Sequence, residues 1–140
     1  MPAPRKVSPV EITPNRRRGG DIRVLLGPAT VGCTSGFLGV LTLAPGEFVA
    51  EHYHPYSEEF LYVVRGTAVV RLDGEDIELV EGEAVLVPVG VRHRVTNVSA
   101  EEAVLTFQLA PLAPEPRLGH VDTEALPGDG PDIRVGGGVR

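Results

Sequence analysis

Apolar residues along this chain come in short bursts, not in long helical stripes. Runs rich in Val, Leu, Ile, Phe and Thr occupy residues 21–26, 36–43, 48–52, 59–64, 67–72, 77–80, 84–87, 93–98 and 103–109. Each is too short for a typical helix and is bounded by turn residues, which is the pattern of β-strands. Asp73-Gly74, between two such runs, is a tight-hairpin signal. Ala44-Pro45-Gly46 and Pro88-Val89-Gly90 mark two further turns. Strand after strand at this spacing predicts an all-β sandwich or barrel in a single domain, uninterrupted by any segment of helical period.

The rhythm stops at Pro111. The expected organisation is an N-terminal arm over 1–20, a β-barrel over 21–110 and a C-terminal extension over 111–140. The extension's Gly-rich end, from Gly128 onward, is expected to be mobile. His120-Val121-Asp122 lies before that end and is a candidate lid or dimer arm.

Composition narrows the function. A chain of 140 residues is one domain by length. Its net charge of −6 argues against nucleic acid, which demands a concentrated basic surface. The one basic run, Arg16-Arg17-Arg18, reads as a solvated turn. Cys33 is the only cysteine, so no intrachain disulfide forms, and it is expected as a small buried apolar side chain. No apolar run near the start resembles a signal peptide, and no stretch is long enough to span a bilayer. A cytoplasmic protein with neither membrane nor nucleic acid as partner is the expectation.

The histidines carry the chemistry. His52 and His54 are two apart, and in a strand such residues point to one side. Glu59 follows after a short Pro-containing turn and can return on the next strand as a carboxylate ligand. His93 comes later, just past the Pro88–Gly90 turn. His52, His54, Glu59 and His93 are therefore candidate ligands of one divalent metal ion. Zn is the first choice and Fe, Mn, Ni or Co are alternatives, since imidazole with carboxylate suits all of them. A His-x-His pair alone is more often two ordinary polar residues. The wider spacing argues otherwise.

Gly46, five residues, His52, one, His54, four, Glu59, six, Gly66 resembles the first motif of the cupin superfamily at every defined position. Gly82, five residues, Pro88, one, Gly90, two, His93, three, Asn97 resembles the second. The resemblance implies a cupin double-stranded β-barrel, or jelly roll, with the metal inside near one mouth. Glu58 competes with Glu59, but only Glu59 keeps the gap to Gly66.

Parity then sorts the neighbours. If Glu59 faces inward, so do Leu61 and Val63, while Phe60, Tyr62 and Val64 face outward. Such an outer face calls for cover by the N-terminal segment or a second subunit, and a homodimer is expected. Val91, His93, Val95 and Asn97 share one side of their strand. Arg65, Arg71, Arg92 and Arg94 are assigned to solvent and Tyr53 is given no role. With no Lys or Arg cluster facing inward, a strongly anionic substrate is disfavoured.

A narrower resemblance concerns function. The stretches Arg16 to Leu26, His52 to Gly66 and Leu118 to Glu124 are similar to small cupins of bacterial aromatic (type II) polyketide biosynthesis, described as polyketide cyclases. That resemblance implies ring closure and aromatisation of a poly-β-ketone, an apolar, carbonyl-rich small molecule, in antibiotic biosynthesis, with transient contact to a polyketide synthase. Glu59 and His54 are the candidate catalytic residues. A metal-dependent oxygenase acting on an aromatic or polyketide-derived compound, and a non-catalytic ligand-binding barrel, are the alternatives. His120 is expected to be exposed, with a capping or ligating role left open.

Overall fold

The computed structural model describes residues 5–133 and Val135. The triplet Gly136-Gly137-Gly138, within the end expected to be mobile, lies outside the described residues. Ten strands run β1 Asp21–Leu26, β2 Phe37–Leu43, β3 Phe48–Tyr53, β4 Glu58–Arg65, β5 Thr67–Leu72, β6 Glu75–Val80, β7 Ala84–Val87, β8 His93–Thr96, β9 Ala103–Ala110 and β10 Val121–Asp122. The first nine match the runs of β-forming residues to within two residues at each end. The one-turn helix α1 (Pro28–Val31) is the sole α-helix among the described residues.

Two five-stranded sheets face each other, in the orders β1-β2-β9-β4-β7 and β10-β3-β8-β5-β6, with every pairing antiparallel. This is the jelly roll that the cupin resemblance implies, within the sandwich-or-barrel class that the pattern predicts. Their inner faces form one core, in which Leu43, Val63, Val70 and Leu105 are fully buried. Strand parity explains the selection. On β4, Glu59, Leu61 and Val63 point in, whereas Phe60, Tyr62 and Val64 remain 47%, 45% and 46% exposed.

Turn chemistry fixes the register. Asp73 and Gly74 both have positive φ, 49° and 87°, as a two-residue hairpin turn between β5 and β6 requires. Gly66, between β4 and β5, has φ +82°, and a Cβ there would lie 2.6 Å from the Glu102 carbonyl oxygen. No side chain fits, which is the physical content of that motif glycine. Asn97 is fully buried, and its amide donates to the carbonyls of Leu43 (3.0 Å) and Glu101 (2.7 Å), tying the β2 and β9 ends together. Cys33 departs from expectation. It is half-buried, its thiol on the Gly36 carbonyl at 3.3 Å in a loop, not in the core.

Residues 111–133 and Val135 wrap back over the barrel. Strand β10 pairs with the edge of β3, Asp122 opposite His52, and Gly128 N–H donates to the Arg17 carbonyl at 3.0 Å. Ala29 N–H donates to the Val135 carbonyl at 3.1 Å. The extension is stitched to the N-terminal arm across one mouth.

Candidate metal centre

Three strands from two sheets supply the cluster. On β3 the register to β8 slips between Val49 and His52, so that His52 stands directly opposite His93. Val49 and Ala50 are consequently both buried although adjacent, and the slip re-aims His52 inward, as β-bulges near sites do. His54 follows two residues on. Glu59 arrives on β4 from the facing sheet, between Val87 of β7 and Leu109 of β9.

The structure brings His52, His54, Glu59 and His93 together, one ligand atom from each lying within 4.8 Å of the others. All four are buried. Ring centroids are 4.9 Å apart for His52 and His54, 4.2 Å for His52 and His93, and 5.2 Å for His54 and His93.

Each ring is aimed by its other nitrogen. Nδ1 of His52 meets the Ala50 carbonyl at 2.7 Å, that of His54 the Gly119 carbonyl at 2.9 Å, and that of His93 the Val91 carbonyl at 2.9 Å. A carbonyl oxygen only accepts, so each Nδ1 carries the hydrogen and each Nε2 presents a lone pair to the cluster. His93 Nε2 lies 2.8 Å from Glu59 Oε1 and His54 Nε2 lies 3.7 Å from it. Yet neither Nε2 finds a hydrogen-bond partner of good geometry. Lone pairs converging on a carboxylate in a low-dielectric site repel unless a cation stands among them. The donor set therefore fits a divalent ion, with N and O ligands of intermediate softness.

Burial and mutual contact set the charge within the cluster. Burial alone would raise the Glu59 carboxyl, but His54 and His93 against it hold it well below the usual carboxylate range. Burial, then the neighbouring His93, His120 and His54, push His52 well below the usual imidazole value, keeping it neutral. Burial opposes charge on His93 as well, but Glu59, the Val91 carbonyl and Glu51 together offset it and the group is raised.

The cluster sits in a cavity of about 510 Å³. Its walls are mainly aliphatic and aromatic, among them Ile22, Val24, Leu61, Val95 and Phe107. One wall is not apolar, and here two expectations fail. Arg18, read as part of a solvated turn, is 4% exposed and lines the cavity, while Arg16 does lie in solvent. Its Nε donates to His120 Nε2 at 2.6 Å and its Nη1 to Asp132 at 2.5 Å, with Asp122 at 3.4 Å. His120, expected to be exposed, instead stacks on His52, centroids 4.4 Å apart and planes 12° from parallel. Burial, with Arg18 next to it, lowers its pKa to about 2 and keeps it neutral. The acids that bury Arg18 come from a segment more than one hundred positions away in sequence. The paired glycines after Arg18, which turn the chain sharply, were the available local hint. Arg65, Arg71 and Arg92 are exposed as expected; Arg94 is half-buried, laid over the Phe48 ring at 3.9 Å and paired with Glu124. Ser57, also unanticipated, is buried at the cavity wall on the Pro111 carbonyl.

Comparison with known proteins agrees with this geometry. The family described as Cupin domain matches residues 39–109. Over 122 residues, 87% of this chain and 79% of the relative, the sequence is 58% identical to "Polyketide synthase CurC" of Streptomyces cyaneus. It is 51% identical to "Tetracenomycin polyketide synthase protein TcmJ" of Streptomyces glaucescens, covering 87% of this chain and 82% of that protein. Among solved structures, an uncharacterized conserved protein with a double-stranded beta-helix domain from Klebsiella pneumoniae superposes with a TM-score of 0.69. That match is 22% identical and covers 87% of this chain and 99% of the other, a likeness of fold alone.

Proposed function

Because this chain belongs to the cupin domain family, we propose that it is a metal-dependent polyketide cyclase, closing and aromatising a ring in a poly-β-ketone intermediate. The observation that carries this reading is the convergence of three anchored imidazoles and one carboxylate in a mainly apolar cavity. The names of its relatives supply the biosynthetic setting.

His52, His54, Glu59 and His93 are the residues that would hold the ion, Zn first, with Fe, Mn, Ni or Co as alternatives. A divalent ion held there supplies Lewis acidity to substrate carbonyl oxygens, making the methylene between two carbonyls more acidic. The chain's own residues do the rest. Leu61, Val95, Leu109 and Phe107 hold the carbon skeleton and exclude water. The cavity folds the chain so that one methylene meets one distant carbonyl, which is where proximity and orientation lower the barrier. In the bond-forming step the methylene loses a proton, its carbon joins the carbonyl carbon, and that oxygen gains a proton. Loss of water then restores conjugation. Glu59, held charged, is the carboxylate placed to accept the methylene proton where it is not fully engaged as a ligand.

The outer face of β4 enters this proposal as an assembly surface. Phe60, Tyr62 and Val64, with Leu86 of β7 opposite Phe60, leave a row of half-exposed apolar side chains. A second copy covers it in a homodimer. Transient contact with the synthase delivers the substrate.

Elemental analysis of protein purified without added metal, with product analysis for wild type and His54→Ala, tests the reading. One bound divalent ion per chain and ring closure, both abolished together by the substitution, are expected. Normal cyclised product from a metal-free variant refutes the metal's role. Turnover that requires oxygen replaces the cyclase with an oxygenase, and tight binding without conversion replaces it with a ligand-binding barrel.

A further inference from the structure

Hydrogen-bond donors are unevenly distributed around the cavity. Among the described residues, the buried polar side chains that line it are Arg18, His52, His54, Ser57, Glu59 and His93. The three imidazoles hold their hydrogens on backbone carbonyls, and the Ser57 hydroxyl donates to the Pro111 carbonyl. Glu59 is a carboxylate and only accepts. Of these side chains Arg18 alone has donors left. Its Nε and Nη1 donate to His120 and Asp132, while Nη2 meets no hydrogen-bond partner among the described residues. The other guanidinium on the lining, Arg117, is exposed and paired with Glu115 at 2.9 Å.

Arg18 is also held in place. Its carbonyl accepts the Ala50 N–H at 2.8 Å, and the Ala50 carbonyl in turn receives His52 Nδ1. The Arg18 main chain and the His52 ring are thereby fastened to one residue of β3. The chain leaves Arg18 through Gly19, φ +102°, where a Cβ would fall 1.8 Å from the Phe48 carbonyl oxygen. Only a glycine permits that approach. A donor fixed at both main chain and side chain needs little ordering when a ligand accepts from it.

Charge decides which ligand that is. Asp132 on Nη1 and Asp122 at 3.4 Å from Nε already balance the cation. An anionic ligand would gain little attraction there and would meet both acids. A neutral carbonyl oxygen keeps the hydrogen bond to a charged donor without that repulsion.

We infer that Arg18 is a second oxygen-recognition point of the cavity, its guanidinium donating to a neutral carbonyl oxygen of the ligand apart from any oxygen taken at the His/Glu cluster. Two fixed points along a carbonyl-rich chain set its register, where a single one lets it slide, and Arg18 is in this sense a specificity-determining residue. The register rests on the cyclase reading; the donor itself does not depend on a metal.

The test compares 1-tetralone with tetralin, one skeleton with a carbonyl in place of a methylene, on the full chain with and without Zn. Wild type, Arg18→Met and Arg18→Lys are titrated, and dissociation constants are read by NMR. Tetralin reports whether the cavity survives each substitution. The ratio of ketone to hydrocarbon affinity should fall about tenfold or more in Arg18→Met, with tetralin affinity unchanged. Arg18→Lys keeps a cation between the acids and covers the case in which the methionine variant does not fold. Its ammonium hydrogens are taken by Asp132, Asp122 and His120, so the ratio should fall there too. An unchanged ratio in a folded variant that still binds tetralin overturns the proposal, as does a wild type that binds neither probe. Tetralin-1-carboxylate binding more tightly than 1-tetralone overturns the assignment to a neutral oxygen. If the ratio falls as expected but wild type takes up no Zn, Arg18 keeps its role and the metal-dependent reading fails. If Zn binds and the ratio does not move, the reverse holds.

Discussion

Gly90 donates its amide N–H to the carbonyl of His54 at 2.9 Å, so the turn that introduces His93 is fastened to the residue pair contributed by the first motif. Gly90 has φ +79°, a conformation that disfavours any side chain. Gly90→Ala should therefore destabilise the fold by about 1–2 kcal/mol. It should also displace His93 relative to His54. Urea unfolding gives the first quantity, and titration of the apoprotein with Zn gives the second, as weakened affinity.

His93 is 1% exposed and lies nearest to Glu59. His93→Ala removes one donor and strands the Glu59 carboxylate in an apolar site. Metal affinity should drop by at least an order of magnitude, and the apoprotein should change stability separately from the holoprotein. Thermal unfolding with and without a chelator checks this. Wild type should lose about 2.7 kcal/mol when the ion is stripped from a hundredfold excess over its dissociation constant. The variant should lose far less.

Arg18 is buried between Asp132, Asp122 and His120. Arg18→Met keeps much of its volume and removes the charge. The two acids retain some water contact, so the loss should be about 2–3 kcal/mol, below that of a fully buried pair. The effect should be local. Hydrogen exchange is expected to speed up across residues 119–133 while the β4–β9 pairing stays protected.

Phe60 and Tyr62 are the centre of the exposed outer face of β4. Phe60→Asp with Tyr62→Asp should convert a dimer to a monomer without unfolding it, because neither side chain enters the core. Light scattering after size-exclusion chromatography reads the outcome. An unchanged mass would assign that face to another partner.

Much of this was legible in the sequence for one reason: strand parity is local. The runs that became β1 to β9, the inward set Glu59, Leu61 and Val63, and the His52/His54 pair all follow from alternation and turn residues. Two features were not. The slip that re-aims His52 shows only as Val49 and Ala50 both buried, since a bulge leaves no composition signal. The polar wall formed by Arg18, His120 and Asp132 depends on contacts between chain segments far apart. A two-residue strand such as Val121–Asp122 has no period to read. Arg18 was misread as solvated because its partners are acids that, taken locally, look like ordinary surface residues.

The three imidazoles do not owe their orientation to the same source. His52 and His93 each lean on the carbonyl two positions earlier in their own segment. His54 takes its bearing from Gly119, sixty-five residues downstream. A chain cut short before Gly119 would lose that acceptor, and with it the strand β10 paired beside His52 and the His120 ring stacked on it. What resembles an appendage is, by that single carbonyl, part of what orients the His/Glu cluster.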